Sequence, residues 1–381
     1  MSDTADEEDS RETCKYGSLC YQKNPKHHEK FKHPYKIAKV RGSLENDDLP
    51  KNKKGKYENN AEIKDSTSSL NNVKAPETEI YKDVIRDKFL INMPIDFFDF
   101  WNFCKDLNAS NPLNALQDID LVLVGPYDVL FGKFENVNLT NEDYLKHWRY
   151  FYDPPELVTV LADEKTGYHI GYFRDEPYSN EHIVASNNGK DCILTSLGDN
   201  IYTAIKSYIE EKLKKCNPFS KPKIQKFQKT FLSKYESEAN SQNNTKKRQK
   251  KIVCKTLHKL GLVVPFDRKT EVGYRELIEN DATLHKKLKV FLESDSQKVI
   301  DSAMASIQPI ITAVNLATDE CDFGTAIEFG LDLFCIGSKH LHNLALSFLR
   351  TGYDLVNRKE FITIIEAHVK DRRIGNNMSI L

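Results

Sequence analysis

Four residues near the start of the chain have the types and spacing to hold a metal. Cys14, Cys20, His27 and His33 form C-x5-C-x6-H-x5-H within twenty residues. Two thiolates and two imidazoles make a closed tetrahedral zinc shell of the structural kind. A segment this short cannot bury enough apolar surface to fold unaided, so the metal would supply its folding free energy. His28 stands beside His27 and could compete as a ligand, shrinking the second histidine spacing to four residues; chance co-occurrence is the bland alternative. Fingers that read DNA have a shorter Cys loop and about twelve residues before the first His, so major-groove reading is disfavoured.

A second candidate lies far downstream in NLATDECDFG, where Asp319 and Glu320 follow an apolar helical stripe. Carboxylates at a helix C-terminus face the negative end of the macrodipole and each other. At least one pKa is expected to tend upward, toward a useful base. The competing reading is capping: Asp319 or Asp322 could open the next helix, and Thr325 with Glu328 has capping-box spacing. Tyr274 and Arg275, taken alone, are a half-buried tyrosine and a surface arginine. His147 and Trp148 stand before an aromatic run whose alternation suggests core and sheet packing, His340 with His342 lacks a second ligand pair at metal spacing, and Asp153 and Glu156 flank the rigid Pro154-Pro155 turn; all six read as structural. GPYDVLFGK has the wrong spacing for a phosphate loop, and no G-x-G-x-x-G follows a strand.

The elements that must position these residues follow from the patterning. The chain has 381 residues, 39% hydrophobic and 29% charged, with a net charge of -1, which suits one or two globular domains and argues against a wholesale nucleic-acid coat. The N-terminus has no apolar signal region. No run of about 18 apolar residues suggests a membrane span, and the eight cysteines are mostly scattered, as in a reducing compartment. The expected fold class is α+β, in six parts: an acidic disordered tail at 1–9, the finger at 10–36, a disordered linker at 37–80, an α+β part at 81–216, a charged connecting segment at 217–251, and a mainly helical part at 252–381. Phe97, Phe100, Trp101 and Cys104 have helical spacing behind Asp96, a candidate cap. ELVTVLADEKTGYHIGYF reads as a hairpin, and Ile201, Ile205, Tyr208, Ile209 and Leu213 as a helix face laid on the sheet. KTLHKLGLVVPFD reads as a strand or two, and Ile300 to Val314 as an apolar stripe kinked by Pro309. The basic run at 246–251 is either a solvated face or a nuclear-import signal.

Two resemblances sharpen this. CKYGSLCYQKNPKHHEKFKHP resembles the PBZ-type zinc finger, a poly(ADP-ribose)-binding module. The resemblance implies that Tyr16 and Tyr21 stack on or border an adenine, with Lys15, Lys23 and Lys26 near phosphates. Gln22 stands where that family usually has an Arg, which removes a planar bidentate contact. From about Phe98 onward the chain is similar to the histone PARylation factor family, accessory proteins of poly(ADP-ribose) polymerases. The likeness is carried by LVGPYDVL, HWRYFYDPPE, YHIGYFRDEP, GLVVPFD, VGYREL, TDECDFG, LDLFC and IIEAH. It implies that Glu320 enters the polymerase active site as general base on a substrate serine, that Asp319 belongs to the joint site, and that Tyr274 and Arg275 dock the polymerase. NAD would then be bound by the polymerase and not by this chain. Histones and other chromatin proteins would be the substrates, and the nucleus and chromosome at DNA damage the setting.

Overall fold

The computed structural model describes residues 12–13, 30–32, 75–135, 137–241 and 243–381. The chain divides into two units, Met1–Ser68 and Ser69–Leu381. In the first unit, β1 (Glu12–Thr13) pairs in parallel with β2 (Phe31–Lys32), Thr13 opposite Lys32. The ladder thus joins the residues that immediately precede Cys14 and His33 in sequence. Cys14, Tyr16, Cys20, Tyr21, Gln22, His27 and His33 themselves lie outside the described residues, as do the expected tail and residues 37–74 of the expected linker.

The second unit opens with α1 (Ala75–Phe89), ahead of the boundary expected at 81, because Ile85 and Phe89 are both buried in the core. Next comes α2 (Ile95–Leu107), which buries Phe97, Phe98, Phe100, Trp101, Phe103 and Cys104. Its N-cap is Pro94, without a side-chain capping bond. Asp96 instead accepts the Tyr172 hydroxyl and the Ile201 N–H, each at 2.8 Å. The expected local cap is therefore a tertiary link from the helix to the sheet and to the start of a later helix.

After β3 (Val122–Leu123) come the short helices α3 (Pro126–Leu130) and α4 (Asn141–Lys146), then β4 (Leu157–Ala162), β5 (His169–Phe173), β6 (Ile183–Asn187) and β7 (Thr195–Gly198). The strands pair antiparallel in sequence order β3-β4-β5-β6-β7. The middle three strands are buried at every position, which explains their nearly continuous apolar sequence. One face packs on α2 and on α5 (Ile201–Lys215) through Val158, Val160, Ile170, Tyr172 and Val184. The other meets the chain that follows, with Leu157, Phe173 and Ile183 against Leu260.

The charged connecting segment folds as α6 (Lys221–Tyr235) and α7 (Asn243–Lys251). In α7 the run is anchored inward. Arg248 forks onto both Asp175 oxygens at 2.8 Å and donates to the Leu260 and Gly261 carbonyls. The expected strands in KTLHKLGLVVPFD are absent. Isolated bridges join Cys254 to Leu262 and Asp267 to Val272, and the loop backbone instead donates from Leu257 N–H to the buried Asp332 carboxylate at 2.8 Å.

The helical layer comprises α8 (Asp281–Glu293), α9 (Gln297–Asp319), α10 (Phe323–Ile336), α11 (His342–Leu355) and α12 (Lys359–Lys370). Contrary to the expectation that nothing here could span a bilayer, α9 is long and apolar enough by length and composition alone. Its stripe of Ile300, Ala303, Ile307, Ile310, Val314 and Ala317 is buried at helical spacing in this layer. α10 is buried from Gly324 to Ile336 and is the centre of the layer. Its crossing with α11 is close because both helices carry glycine there. A methyl carbon at Gly352 would lie 2.5 Å from Ile327 Cγ1, and one at Gly330 2.8 Å from Leu349 Cγ. Sheet and helices are locked by Tyr353, whose hydroxyl donates to Glu156 at 2.5 Å, and by Arg372, which lies between the Phe151 and Phe334 rings at 4.0 and 3.9 Å and donates to their carbonyls. Gly352→Ala is expected to overpack this crossing and to cost about 1–3 kcal/mol, read as a lower denaturant midpoint at unchanged slope.

Candidate catalytic surface

The C-terminus of α9 is built to present one side chain. Glu320 is the C-cap (φ -89°, ψ 11°), and Cys321 then takes the left-handed conformation at φ +76°. Asp322 N–H returns to Ala317 C=O at 2.8 Å and Cys321 N–H to Thr318 C=O at 3.1 Å. This is the paired closure of a Schellman motif, with cysteine where glycine is usual. It satisfies the last helical carbonyls and turns the chain directly into α10. Glu320 therefore stands at the tip of a sharp corner with its side chain half exposed. Asp319, one residue earlier, is exposed and has no ion-pair partner among the described residues.

Asp322 faces inward. Its carboxylate is 5% exposed and accepts Gly273 N–H at 3.0 Å through one oxygen and the Arg275 guanidinium at 2.9 Å through the other. The loop holding Tyr274 and Arg275 is thus fastened to the start of α10. Further links reinforce it. Gly324 N–H donates to Gly273 C=O at 2.9 Å, and Thr325 Oγ1 accepts from Arg275 N–H at 2.9 Å while donating to Arg275 C=O at 2.7 Å. Gly273 has no room for a side chain: at φ +116°, a Cβ would lie 2.2 Å from Pro265 C=O.

The capping box expected at Thr325 and Glu328 does not form. α10 starts at Phe323, Thr325 is spent on the Arg275 backbone, and Glu328 accepts the Tyr274 hydroxyl at 3.0 Å. Tyr274 is 8% exposed and belongs to the helical core, edge-on to Phe266, so its ring anchors the loop from within. Arg275, by contrast, is half exposed and lies within 2.5 Å of Glu320 and 2.9 Å of Asp322. Those two carboxylates, Glu320 first, hold its pKa above the ordinary value. The neighbour that geometry supplies to Glu320 is therefore a cation, not the second acid expected from the helix end.

Arg275, Glu320 and Asp322 share an open cleft of about 650 Å³ with Glu271, Glu276 and Val272. Carboxylates predominate among its charged groups. Behind the cleft, burial pushes the Glu328 carboxyl up to about 7, with hydrogen bonds from Cys254 and Tyr274 opposing the shift, and burial first, then Glu328, pushes the Tyr274 phenol well up. Asp322, Thr325 and Glu328, which spacing marked only as helix-capping candidates, are the organisers of this surface; Asp322 does stand at the N-cap of α10, without a side-chain capping bond. The available signal was the repetition of acids on both sides of Cys321. His147, Asp153 and Glu156 serve the scaffold: His147 bonds buried Asp128 at 2.8 Å, Asp153 takes Tyr150 N–H and the His169 ring, and Glu156 takes Tyr353.

The finger segment and this core match known families separately. Residues 11–36 match the PBZ domain, and residues 80–372 match the family described as Histone PARylation factor 1. Finger and core together define a zinc-finger-bearing accessory factor. The chain belongs to the histone PARylation factor 1 family, with 40% identity to the mouse Histone PARylation factor 1 over 82% of this chain and 93% of that protein. Identity to the cattle protein is 39%, over 76% of this chain and 86% of the relative, and to the zebrafish protein 36%, over 83% and 93%.

The buried Glu328 gives this surface a pH signature. Its folded pKa of about 7 lies above the ordinary 4.5, so the folded chain keeps a proton that the unfolded chain has released. The resulting stability is complete below about pH 4.5 and is lost as pH rises through 7, on the order of 3 kcal/mol. Glu328→Gln should flatten the decline between pH 5 and 7.5, measured by urea unfolding at each pH; a profile as steep as that of the parent chain would contradict the buried, protonated carboxyl.

Proposed function

We propose that this chain is not an enzyme alone and completes the active site of a poly(ADP-ribose) polymerase by lending it Glu320 as general base. A serine hydroxyl is a poor nucleophile near neutral pH unless a base takes its proton as it attacks. In the joint site the serine oxygen attacks the anomeric carbon of NAD held by the polymerase, nicotinamide leaves, and the hydroxyl proton passes to Glu320. Asp319 lies beside it at the joint surface. The observation that carries this reading is that Glu320 is fixed by a closed helix-ending turn and yet half exposed on an open cleft, rather than enclosed in a pocket of its own.

Tyr274 and Arg275 form the docking element, Tyr274 as the buried anchor and Arg275 as the exposed contact, a residue type favoured at interface hot spots. The Arg275 to Glu320 ion pair gives docking a second consequence. When the polymerase engages the guanidinium, Glu320 loses its internal partner and is free to accept a proton. The carboxylate-rich cleft suits a basic peptide, and histones and other chromatin proteins are the proposed substrates, in the DNA damage response at the chromosome within the nucleus. In the finger, Cys14, Cys20, His27 and His33 hold a structural zinc, and Tyr16, Tyr21 and Gln22 meet poly(ADP-ribose). This is supported by the PBZ match over 11–36 and by the ladder joining the residues before Cys14 and His33. Tethering through the finger raises local concentration without new contacts to the polymerase.

A purified reaction of the chain, a polymerase, NAD and a histone-tail peptide tests this. Glu320→Gln should lower serine-linked modification by about 10²–10⁴-fold while leaving polymerase binding intact. Unchanged modification would leave a poly(ADP-ribose) reader without catalytic part, and polymer cleavage in the absence of polymerase would point to a hydrolase. Arg275→Ala should weaken polymerase binding at least about tenfold in a titration, and equal affinity would refute the docking assignment. A chain beginning at Ser69 should keep serine modification in the purified reaction and lose polymer capture.

A further inference from the structure

The connection from α5 through α6 carries a charge pattern that neither the core nor the catalytic surface uses. From Lys212 to Tyr235 there are eight lysines and no aspartate or glutamate. Lys212 pairs with Asp120 at 2.7 Å, Lys215 with Glu211 at 2.5 Å and Lys234 with Asp106 at 3.4 Å. Lys221, Lys223, Lys226 and Lys229 are exposed and have no ion-pair partner among the described residues. They are segregated by the helix itself. Ile224, Phe227, Phe231 and Tyr235 face the core, while Lys223, Lys226 and Lys229 recur every third residue on the solvent side. In the turn just before α6, Phe219 is 91% exposed, an aromatic ring with no packing role at the end of the lysine row.

We propose that the exposed face of α6 with Phe219 is a sequence-independent DNA-binding surface. Lysines are point charges that neutralise phosphates without reading bases, and a row of them tracks a phosphodiester backbone. At 1.5 Å rise per residue, Lys221 to Lys229 spans about 12 Å, the axial reach of roughly three to four phosphates on one strand. An acidic or phosphorylated peptide fits less well, since such motifs are met by arginine clusters and α6 has no arginine. Phe219 adds a stacking platform for a base that is unpaired at an end or gap. The carboxylate-rich cleft at Glu320 would repel the same polyanion, so DNA and a basic peptide would engage different faces of the second unit.

The test uses the full chain and a fluorescent blunt duplex of about 25 base pairs, followed by anisotropy between 50 and 200 mM salt, where phosphate contacts are most salt-sensitive. The variant Lys221→Gln, Lys223→Gln, Lys226→Gln, Lys229→Gln should bind at least about tenfold more weakly at 50 mM, with the slope of log affinity against log salt reduced by about 3–4. The finger is the same in both proteins, so the difference belongs to α6. All four side chains are exposed, and an unchanged melting temperature verifies the fold. Phe219→Ala should leave the blunt duplex unaffected and weaken binding to a duplex with a single-stranded overhang about tenfold. An unchanged salt slope in the quadruple variant overturns the proposal. So does a polyglutamate that binds the parent chain as tightly as the duplex and loses affinity in the variant, which would assign the face to an acidic polypeptide.

Discussion

Asp322 is nearly buried, and a carboxylate in that position must be met by donors on every side it presents. It is met by Gly273 N–H and by the Arg275 guanidinium, both from a loop far away in sequence, while its own N–H closes the turn that ends α9. One residue thus satisfies three demands at once: the last carbonyls of a helix, the start of the next, and the attachment of the loop between Gly273 and Arg275. Hydrogen bonds to a charged group are worth about 1.5–3 kcal/mol each. Glu320 and Arg275 stand where they do because this junction holds both of their backbones. Everything proposed for the chemistry depends on that fastening.

The junction in turn needs a stiff background. α10 supplies it by being buried from Gly324 onward, and it can be buried so completely because glycine lets α11 approach closely. Tyr274 enters the same core and ends on Glu328. The exposed half of the surface, Arg275 and Glu320, is therefore rooted in the buried half by adjacent residues: Tyr274 by Arg275, and Asp322 two positions after Glu320. A docking contact made through Arg275 would be felt at Glu320 directly, through a shared ion pair, without any change in the helical layer. Coupling of this kind needs only a competition for one guanidinium between an internal carboxylate and an external one.

A net charge of -1 conceals a strong internal division. Carboxylates collect at the cleft around Glu320, while lysines without local partners collect on α6. Charges so distributed contribute little to folding, since exposed pairs are weak and like charges repel. Their effect is on association, where a local field of one sign selects and steers a partner of the other. The charged stretch that composition marks as a connecting segment is two helices with opposite habits: α7 turns its arginine inward onto Asp175, and α6 keeps its lysines out.

Much was legible in the sequence because the determinants are local. Helical spacing marked α2, α5 and α9, the Asp163 to Gly167 turn marked the hairpin of β4 and β5, and the C-x5-C-x6-H-x5-H spacing marked the finger. Long aromatic strings carried the family resemblance, and with it the expectation for Glu320. Other features were decided by tertiary contacts, which no window of neighbouring residues contains. Asp96 looked like a cap and became a bridge to Tyr172 and Ile201; Thr325 and Glu328 looked like a capping box and were taken by Arg275 and Tyr274. Two acids at a helix end suggested mutual repulsion, and the fold placed an arginine from a remote loop against Glu320. Spacing fixes which side chains share a helix face or a turn. Which donor a carboxylate meets is set by the burial of the groups around it, and that is known only once the helices and loops have packed.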